Sequence, residues 1–365
     1  MQSRQNAIGL VYGSQEHQLD HLAAVCMLML IPLMVTEEEI EKLAKRYYPD
    51  LEIIRCDYRE VGELVVSNYD ILFSTLPKIL IEEIFFLSER ILRKRLHSIW
   101  CPHGNSDKGY RLPLEGLPKE EMALAYGKKM VDFFQIKGAF DQLKALVITG
   151  NFRYTLYQKR KDFYQILLST FFSKLKNHKT ILYAPTWQDS ENFCSFFSAI
   201  APLIDYLPSK YSLIIKLHPY LLENKKTEHL IDRYENHPQV QFVTHFPPIY
   251  PLLDLSDIYI GDVSSIGYDF LIFNKPMFFL NESGRDAKND PGLYLYRCGV
   301  EIPLNRYNDI YKLIEYHLPS DQEDFSKIRQ EVYRYAFGEE KKTEILRQEI
   351  LNTYSSLVDP ELDFL

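Results

Sequence analysis

Residues 257–270 read DIYIGDVSSIGYDF, and this stretch joins a short apolar run to the start of a helical pattern. The run at 258–260 predicts a buried strand, and the pattern at 265–273 predicts a helix. The connecting loop contains Gly261, Asp262 and two adjacent serines. A strand that passes through a short loop into a helix is half of a βαβ unit, which is typical of a parallel sheet covered by helices.

The same alternation of strand and helix extends along the chain in two series. In the first series we predict strands at 7–12, 32–35, 51–56, 71–74 and 98–100, with helices at 21–30, 36–48 and 78–96. In the second series we predict strands at 180–183, 212–217, 240–243, 258–260 and 277–280, with helices at 154–176, 192–207, 222–235, 249–255 and 265–273. The predicted fold class is therefore α/β, with parallel sheets built from βαβ units in two series.

The length of the chain also indicates two domains. It has 365 residues, and a domain holds roughly 100 to 200. A turn signal at Gly150 and Asn151 separates the two series. We place an N-terminal domain at 1–150 and a second domain at 151–320. A charged helical tail at 321–365 is expected to pack back on the first domain.

Composition excludes several classes of protein. Hydrophobic residues make up 46% and charged residues 25%, as in a globular protein. A net charge of −8 argues against nucleic acid as a partner. The 15 glycines form neither GxGxxG nor GxxxxGK[ST], so any phosphate site must be built in another way.

The cysteines and the apolar runs bear on location. Five cysteines without a CxxC pair favour neither a disulfide framework nor a zinc site. The longest apolar run, 22–35, contains Pro32 and is shorter than the roughly 20 residues that a membrane span needs. We therefore expect a cytoplasmic protein without a transmembrane segment.

Candidate ligand-binding residues follow the predicted strands, because ligands bind beyond the carboxyl ends of open parallel sheets. Four loops are rich in suitable side chains: 101–109, 184–187, 217–219 and 261–267. In the last of these, Ser264 and Ser265 precede a helix, where hydroxyls and free N–H groups favour a phosphate. The alternative is that one serine only caps the helix.

Histidines supply the other candidates. Lys216 and His218 alternate onto one face and can reach a common anion, although a structural role for His218 is the alternative. His103 lies beside Gly104, and an imidazole has a pKa suited to a general base. His17 and His21 have only Asp20 as an acidic neighbour, which does not favour a metal site.

The ordered motifs ILYAPTW at 181–187, KLHP at 216–219, DIYIGDVSSIGYDF at 257–270 and KP at 275–276 resemble the CDP-glycerol glycerophosphotransferase family. That family includes teichoic-acid primases and polymerases. The resemblance implies a GT-B fold, in which two Rossmann-like domains face one another and the C-terminal domain binds the nucleotide donor. It also implies no cofactor and no metal.

The resemblance assigns roles to residues of the donor site. His218 matches a histidine that contacts the donor phosphates. Ser264 and Ser265 match the hydroxyls of an Asp-Tyr-Ser-Ser motif that begins at Asp262, with Val263 in place of its tyrosine. The predicted donor-binding set is completed by Lys216, Thr186 and Arg153, of which Arg153 matches the end of a Gly-x-Pro-Arg element.

On the acceptor side, His103 matches the histidine of a His-Gly-Thr-Pro-Leu-Lys motif and is predicted to act as the base. Gly104 and Lys108 keep their places in that motif, whereas Asn105, Ser106 and Asp107 differ from it. We predict that Asp107 orients the imidazole of His103. His103 and His218 form the predicted catalytic pair.

The function implied is transfer of a glycerol-phosphate or related group from a nucleotide-diphosphate donor to an acceptor hydroxyl in bacterial cell-envelope polymer synthesis. The donor is CDP-glycerol or a nucleotide sugar, and the acceptor is lipid-linked or a saccharide. A lipid-linked acceptor places the protein at the inner face of the membrane. The alternatives are a UDP- or CMP-sugar glycosyltransferase, a UDP-sugar epimerase, and a catalytically silent nucleotide-binding protein.

Overall fold

The computed structural model describes residues 6–108, 120–139, 143–172, 175, 179–188 and 194–358. These residues form two compact units. The first unit takes in the described parts of 1–105, 113–156 and 335–365, and the second those of 106–112 and 157–334. Among the described residues, no helix is long and apolar enough to cross a membrane.

The first unit is built on a parallel sheet with strand order β3-β2-β1-β4-β5-β6-β7. Its strands are β1 (Ala7–Val11), β2 (Leu33–Val35), β3 (Ile53–Arg55), β4 (Ile71–Ser74), β5 (His97–Trp100), β6 (Met122–Ala125) and β7 (Ala145–Ile148). The order reverses between β1 and β4, which is the switch point where open α/β sheets bind ligands.

The second unit is built on another parallel sheet, with strand order β10-β9-β8-β11-β12-β13. Its strands are β8 (Lys179–Ala184), β9 (Tyr211–Lys216), β10 (Val240–Val243), β11 (Ile258–Gly261), β12 (Met277–Asn281) and β13 (Val300–Pro303). Relative to its own first strand this is the 3-2-1-4-5-6 order of the Rossmann fold, with the switch point between β8 and β11.

Helices connect the strands in both units. The α-helices are α1 (Glu16–Met29), α2 (Glu38–Tyr47), α3 (Val61–Asn68), α4 (Glu82–Phe86), α5 (Lys128–Ile136), α6 (Phe152–Lys159), α7 (Lys161–Phe171), α8 (Phe196–Asp205), α9 (Pro219–Leu222), α10 (Lys225–Tyr234), α11 (Tyr250–Leu255), α12 (Ser265–Phe270), α13 (Ile310–His317), α14 (Asp321–Phe337) and α15 (Thr343–Val358). Shorter 3₁₀ segments lie at Lys78–Ile81, Leu271–Phe273, Pro291–Cys298 and Leu304–Asp309, and a π-helical segment at Leu87–Leu92.

Apolar strand residues explain why both sheets fold. The strands β8, β9 and β11 are buried along nearly their whole length, so both faces of the second sheet are covered. Continuous apolar runs rather than alternating ones are characteristic of such parallel sheets. The α/β fold class and the two parallel sheets predicted from the sequence are confirmed.

The structure also corrects the predicted elements. Three strands (β6, β7 and β13) and three helices (α3, α5 and α13) have no counterpart in the prediction. The strands have only four residues each, and such short runs carry little periodicity. The helix predicted at 78–96 is three short segments that end at Leu92, because the next residue, Arg93, adopts left-handed φ. The helix predicted at 154–176 is divided at Arg160 into α6 and α7. Residues 173, 174, 176, 192 and 193 of the predicted helices lie outside the described residues.

The C-terminal segment is helical, as predicted, and its last helix belongs to the first unit. Helix α15 packs against β7 and α1, and Arg347 Nε donates to the carbonyl oxygen of Leu28 at 2.6 Å. A Cβ on Gly127 would lie 2.5 Å from the carbonyl oxygen of Ala336. The backbone that leads into α15 therefore lies directly on the turn after β6.

Candidate functional site

The switch point of the second sheet brings three predicted loops together. Strands β8 and β11 are neighbours, and Ala184 pairs in register with Gly261, so the loops that follow these strands start side by side. Strand β9, which ends at Lys216, lies on the other side of β8. Thr186, His218 and Ser264 consequently come from loops at one edge of the sheet, although they are distant in sequence.

Asp262, in the loop after β11, is hydrogen-bonded to the connection that follows β8. Its side chain is 1% exposed, and its carboxylate accepts hydrogen bonds from the backbone N–H of Thr186 (2.7 Å), from that of Ser195 (3.0 Å) and from the Ser195 hydroxyl (2.8 Å). A buried carboxylate that already accepts three hydrogen bonds has its lone pairs directed into the protein. Asp262 therefore holds the connection between β8 and α8 that carries Thr186 and Ser195, and its contact with the donor stays a prediction.

Burial of Asp262 makes the stability of the fold depend on pH. Loss of hydration raises the pKa of its carboxyl from 3.8 to about 6, against the opposing hydrogen bonds from Ser195 and Thr186. Between these values the folded protein holds a proton that the unfolded chain has released, so the contribution of Asp262 to stability falls as pH rises. At about 1.4 kcal/mol per pKa unit, the loss is about 3 kcal/mol.

The variant Asp262→Asn lacks this titration and tests the effect. As pH rises from about 4 to 7, we expect the unfolding free energy of the variant to increase by about 2 to 3 kcal/mol relative to that of the unsubstituted protein. The variant therefore becomes relatively more stable at the higher pH. Denaturant titrations of both proteins across this range measure the difference, and the other carboxyl groups cancel. A difference that does not change with pH would contradict the raised pKa.

The two serines occupy the start of α12. Ser264 is the N-cap residue, and its hydroxyl accepts a hydrogen bond from the backbone N–H of Ile266 at 3.4 Å. Ser265 is the first helical residue, and both side chains are partly exposed. The capping role considered from the sequence is therefore present, and the long bond leaves the Ser264 hydroxyl able to donate its proton to another acceptor.

His218 lies in an aromatic cluster beyond β9. Its Nδ1 accepts a hydrogen bond from the backbone N–H of Tyr220 at 3.3 Å, which in the neutral imidazole places the proton on Nε2. The Trp187 ring lies 6.0 Å from the His218 ring and 5.0 Å from the Tyr220 ring, between centroids. Trp187 thus orients His218, and the Nε2–H of the imidazole is a hydrogen-bond donor suited to an anion.

Two lysines lie near these loops. Lys216 ends β9 as a buried side chain, with its Nζ 3.4 Å from the carbonyl oxygen of Leu217. Lys108 belongs to the second unit, where its Nζ donates to the hydroxyl of Thr186 at 2.5 Å. The same ammonium lies 5.4 Å from the centre of the Trp187 ring. The loops of the second unit therefore combine two cations with hydroxyl and imidazole donors.

His103 follows β5 in the first unit, and its side chain is exposed. The residues beside it are held: the carbonyl oxygen of Pro102 accepts from the Tyr126 hydroxyl at 3.2 Å, and Asn105 Nδ2 donates to the carbonyl oxygen of Ala336 at 3.2 Å. Although part of this side chain reaches solvent, the surrounding protein reduces its hydration, which lowers the pKa of His103 from its ordinary value of 6.5. The imidazole is consequently neutral near pH 7, which is the form that a general base requires.

Two more histidines stand near His103. The ring of His17 lies 6.2 Å from that of His103, and His21 Nδ1 is 2.8 Å from the Tyr126 hydroxyl. Burial, followed by the positive charge of Arg153, lowers the pKa of His21 well below its usual range. In the described part of the chain, no group of three His, Cys, Asp or Glu residues is arranged to hold a metal ion.

Arg153, predicted to bind the donor, forms a buried ion pair in the first unit. It belongs to the first unit, is buried, and forms an ion pair with Asp20, which also accepts from the Tyr48 hydroxyl at 2.8 Å. A buried guanidinium that is paired with a carboxylate connects the start of α6 to α1. The structure gives Arg153 a structural ion pair, and its assignment to donor binding stays a prediction.

Asp107, predicted to orient His103, is bonded within the second unit. Its carboxylate accepts hydrogen bonds from the Tyr268 hydroxyl and the backbone N–H of Leu295. Gly104, which follows His103, has a φ of 123°, a backbone conformation that residues other than glycine rarely adopt. Gly109, at the end of this predicted loop, lies outside the described residues.

Sequence patterns did not indicate three residues that organise the site. Ser195 bonds Asp262, Tyr126 holds the backbone beside His103, and Tyr268 bonds Asp107. Each is a single hydroxyl whose partner lies more than 20 residues away in the chain. Short-range periodicity carries no signal of such pairs.

Two parallel sheets of Rossmann order, candidate phosphate-binding loops at the switch point and a helical C-terminal segment define a GT-B type α/β protein. Residues 125–342 match the family model described as CDP-glycerol:poly(glycerophosphate) glycerophosphotransferase. The chain belongs to that family.

Curated relatives include bacterial teichoic-acid enzymes. The teichoic acid glycerol-phosphate primase of Bacillus spizizenii is 30% identical over 160 residues, which cover 43% of this chain and 38% of the relative. The primase of the same description from Bacillus subtilis is 35% identical over 107 residues, covering 29% of this chain and 26% of the relative. The matched region is thus well under half the length of either relative.

Solved structures resemble nearly the whole chain. The wall teichoic acid polymerase TagF superposes with a TM-score of 0.66 at 17% identity, covering 97% of this chain and 89% of that one. The S. aureus MnaA–UDP structure gives a TM-score of 0.62 at 13% identity, with 97% of each chain covered. At these identities the likeness shows the fold.

Proposed function

We propose that this protein is a transferase that moves a glycerol-phosphate or closely related group from a nucleotide-diphosphate donor to an acceptor hydroxyl in cell-wall polymer synthesis. The observation that carries the proposal is that Ser264, Ser265 and His218 follow β11 and β9 at one edge of the second sheet, in a chain of this family. The relatives named as teichoic acid glycerol-phosphate primases support the same class of reaction.

The second unit binds the donor in this proposal. The hydroxyls of Ser264 and Ser265 and the Nε2–H of His218 donate hydrogen bonds to the diphosphate, and Lys216 and Lys108 offset its charge. Hydrogen-bond donors that are already in place lower the barrier when negative charge grows on the leaving nucleotide. Thr186 contributes by fixing the ammonium of Lys108.

The transfer step follows from the chemistry of such a donor. The acceptor oxygen forms a bond to the phosphorus that carries the glycerol, and the bond from that phosphorus to the bridging oxygen breaks. A nucleoside monophosphate leaves with the bridging oxygen. His103 takes the proton of the acceptor hydroxyl. It can do so because its lowered pKa keeps the imidazole neutral and able to accept a proton.

We propose a saccharide or a lipid-linked glycan as acceptor, and peripheral association with the inner face of the membrane in the lipid-linked case. Relatives named as primases and polymerases of teichoic acids support an acceptor in the cell envelope. Either acceptor supplies the hydroxyl that the step needs.

Donor binding tests the proposal directly. A ligand at 100 times its Kd stabilises a folded protein by about 2.7 kcal/mol. We expect CDP-glycerol or CDP-ribitol to raise the Tm by several degrees, and the variant Ser264→Ala with Ser265→Ala to bind at least about tenfold more weakly. The matched control is Ser169→Ala, whose side chain is exposed on α7.

The same assay separates the alternatives. Stabilisation by a UDP-sugar or a CMP-sugar, but by neither CDP-glycerol nor CDP-ribitol, favours a nucleotide-sugar enzyme. The MnaA–UDP structure, which shares the fold, is a reason to test this outcome. Stabilisation by a nucleotide without any transfer to an acceptor favours a silent binding protein. Absence of a shift with every nucleotide excludes the proposed donor site.

A further inference from the structure

His21 is a buried histidine of α1 that the proposed transfer step does not use. Its side chain is 7% exposed, and its Nδ1 lies 2.8 Å from the hydroxyl oxygen of Tyr126, the residue that follows β6. That hydroxyl donates in turn to the carbonyl oxygen of Pro102 at 3.2 Å. All three residues belong to the first unit. A chain of two hydrogen bonds therefore runs from α1 to the residue that precedes His103.

The direction of this chain follows from the protons that its members carry. A tyrosine hydroxyl has one proton to donate, and a carbonyl oxygen can only accept. Since the Tyr126 proton goes to the carbonyl of Pro102, the bond to His21 requires that the imidazole donate from Nδ1. Burial, followed by the positive charge of Arg153, lowers the pKa of this imidazole and keeps it neutral near pH 7. A neutral imidazole has one N–H, so His21 is the Nδ1–H tautomer.

The tautomer matters because the bond to Pro102 is the longer of the two. A hydroxyl donor usually lies about 2.7 to 2.8 Å from its acceptor, so a distance of 3.2 Å is at the long end for this type of bond. An imidazole with a lone pair on Nδ1, at 2.8 Å, would take the Tyr126 proton instead. A donated N–H removes that competing acceptor and also polarises the hydroxyl, which strengthens the bond that the hydroxyl makes.

The ring of Tyr126 is held by packing. It is 1% exposed, stacks on Phe152 with 6.1 Å between ring centroids, and contacts the edge of Phe337 at 5.7 Å. An added Cβ on the next residue, Gly127, would lie 2.5 Å from the carbonyl oxygen of Ala336 and 2.7 Å from its carbonyl carbon. These are backbone atoms, which cannot move aside as the end of a side chain can. Tyr126 is thus a rigid support for the carbonyl that it bonds.

The backbone on both sides of His103 is bonded within the first unit. Before it, the backbone N–H of Cys101 donates to the carbonyl oxygen of Ser74 at 2.8 Å, which continues the pairing of β5 with β4. After it, Asn105 is 2% exposed, and its Nδ2 donates to the carbonyl oxygen of Ala336 at 3.2 Å. The bond from Tyr126 holds the carbonyl directly before the exposed histidine. Its loss would leave that peptide group without this support.

We propose that His21 is a positioning residue, which donates from Nδ1 to the Tyr126 hydroxyl, directs the hydroxyl proton to the carbonyl of Pro102 and so fixes the backbone that carries His103. The catalytic part of this proposal rests on the proposed function, in which His103 is the general base. The sequence pattern presented His21 only as a candidate metal ligand, and its place beside the Tyr126 hydroxyl supports the different role.

The first test measures the tautomer of His21 without any activity. Long-range proton–nitrogen correlation spectra of the protein, labelled at its histidine nitrogens, distinguish an Nδ1–H imidazole from an Nε2–H imidazole. The His21 signals are those that disappear in His21→Leu, and near pH 7 we expect them to be those of the Nδ1–H tautomer. The Nε2–H tautomer would overturn the proposal, because Tyr126 would then donate to the imidazole and not to Pro102.

The second test measures positioning in an active enzyme. Tyr126→Phe removes the hydroxyl and keeps the ring, and it is expected to lower kcat about tenfold while the KM for the donor stays within about threefold. His21→Leu is expected to lower kcat at least about threefold, and to cause no further loss when it is added to Tyr126→Phe, because His21 acts through that hydroxyl. The matched control is Tyr311→Phe, which removes a buried hydroxyl that donates to the backbone carbonyl of Leu203 and should change neither constant.

Two kinetic results would contradict the positioning role: an unchanged kcat in Tyr126→Phe, or losses from the two single variants that multiply in the double variant. If Tyr126→Phe does not fold, the tautomer of His21 in the unsubstituted protein decides the matter. If no nucleotide donor supports transfer by the unsubstituted protein, the proposed function fails, and the tautomer still decides whether His21 directs the Tyr126 proton.

Discussion

The variant His103→Ala is expected to bind the donor normally and to turn it over about 10² to 10⁴ times more slowly, which is the usual contribution of a general base. The donor-binding groups proposed above lie in the second unit, whereas His103 lies in the first, so its removal leaves them intact. Steady-state rates with a saturating acceptor measure the loss of kcat, and a thermal shift with CDP-glycerol measures the retained binding.

A pH profile adds a second criterion to this prediction. Because desolvation lowers the pKa of His103, the neutral form persists below pH 6.5, and the acid limb of kcat/KM should fall at a lower pH than for an ordinary imidazole. The matched control is His229→Ala, an exposed histidine on α10. A near-normal rate in His103→Ala would show that another group takes the proton.

The variant Arg329→Met is expected to lower the unfolding free energy by about 3 to 5 kcal/mol, the range found when one partner of a buried ion pair is removed. Arg329 is 0% exposed, and its guanidinium bonds both carboxylate oxygens of Asp321, at 3.0 and 2.7 Å. Its Nε donates to Asn274 Oδ1 at 2.8 Å. The substitution leaves the Asp321 charge buried without its partner, and denaturant titration measures the cost.

Two further variants test the cause of that loss. Arg334→Met removes an exposed arginine from the same helix and should change stability by less than about 0.5 kcal/mol. Combining Arg329→Met with Asp321→Leu removes both charges and should recover a large part of the loss, since apolar replacements of buried ion pairs are often nearly neutral. If the double variant is as unstable as the sum of the single ones, the buried charge is not the cause.

The donor-side loops were predictable because they are local. The strand β11, the adjacent serines and the start of α12 follow one another within about ten residues, and their periodicity and polarity are visible in the chain. Likewise, the strand that ends at Lys216 leads directly to His218. The roles of Asp262, Arg153 and Asp107 were not predictable, because the partners of each lie more than 60 residues away.

Sequence alone determined the α/β class, the two parallel sheets, the family resemblance and the loops where ligand chemistry is concentrated. These properties rest on apolar periodicity and on motifs of a few residues, which depend on neighbours in the chain. The tertiary structure decided which protein groups these charged side chains contact. Asp262, Arg153 and Asp107 are all polar residues within or near the motifs, yet burial gives each of them a protein partner, because an ionised group away from water must be paired or hydrogen-bonded.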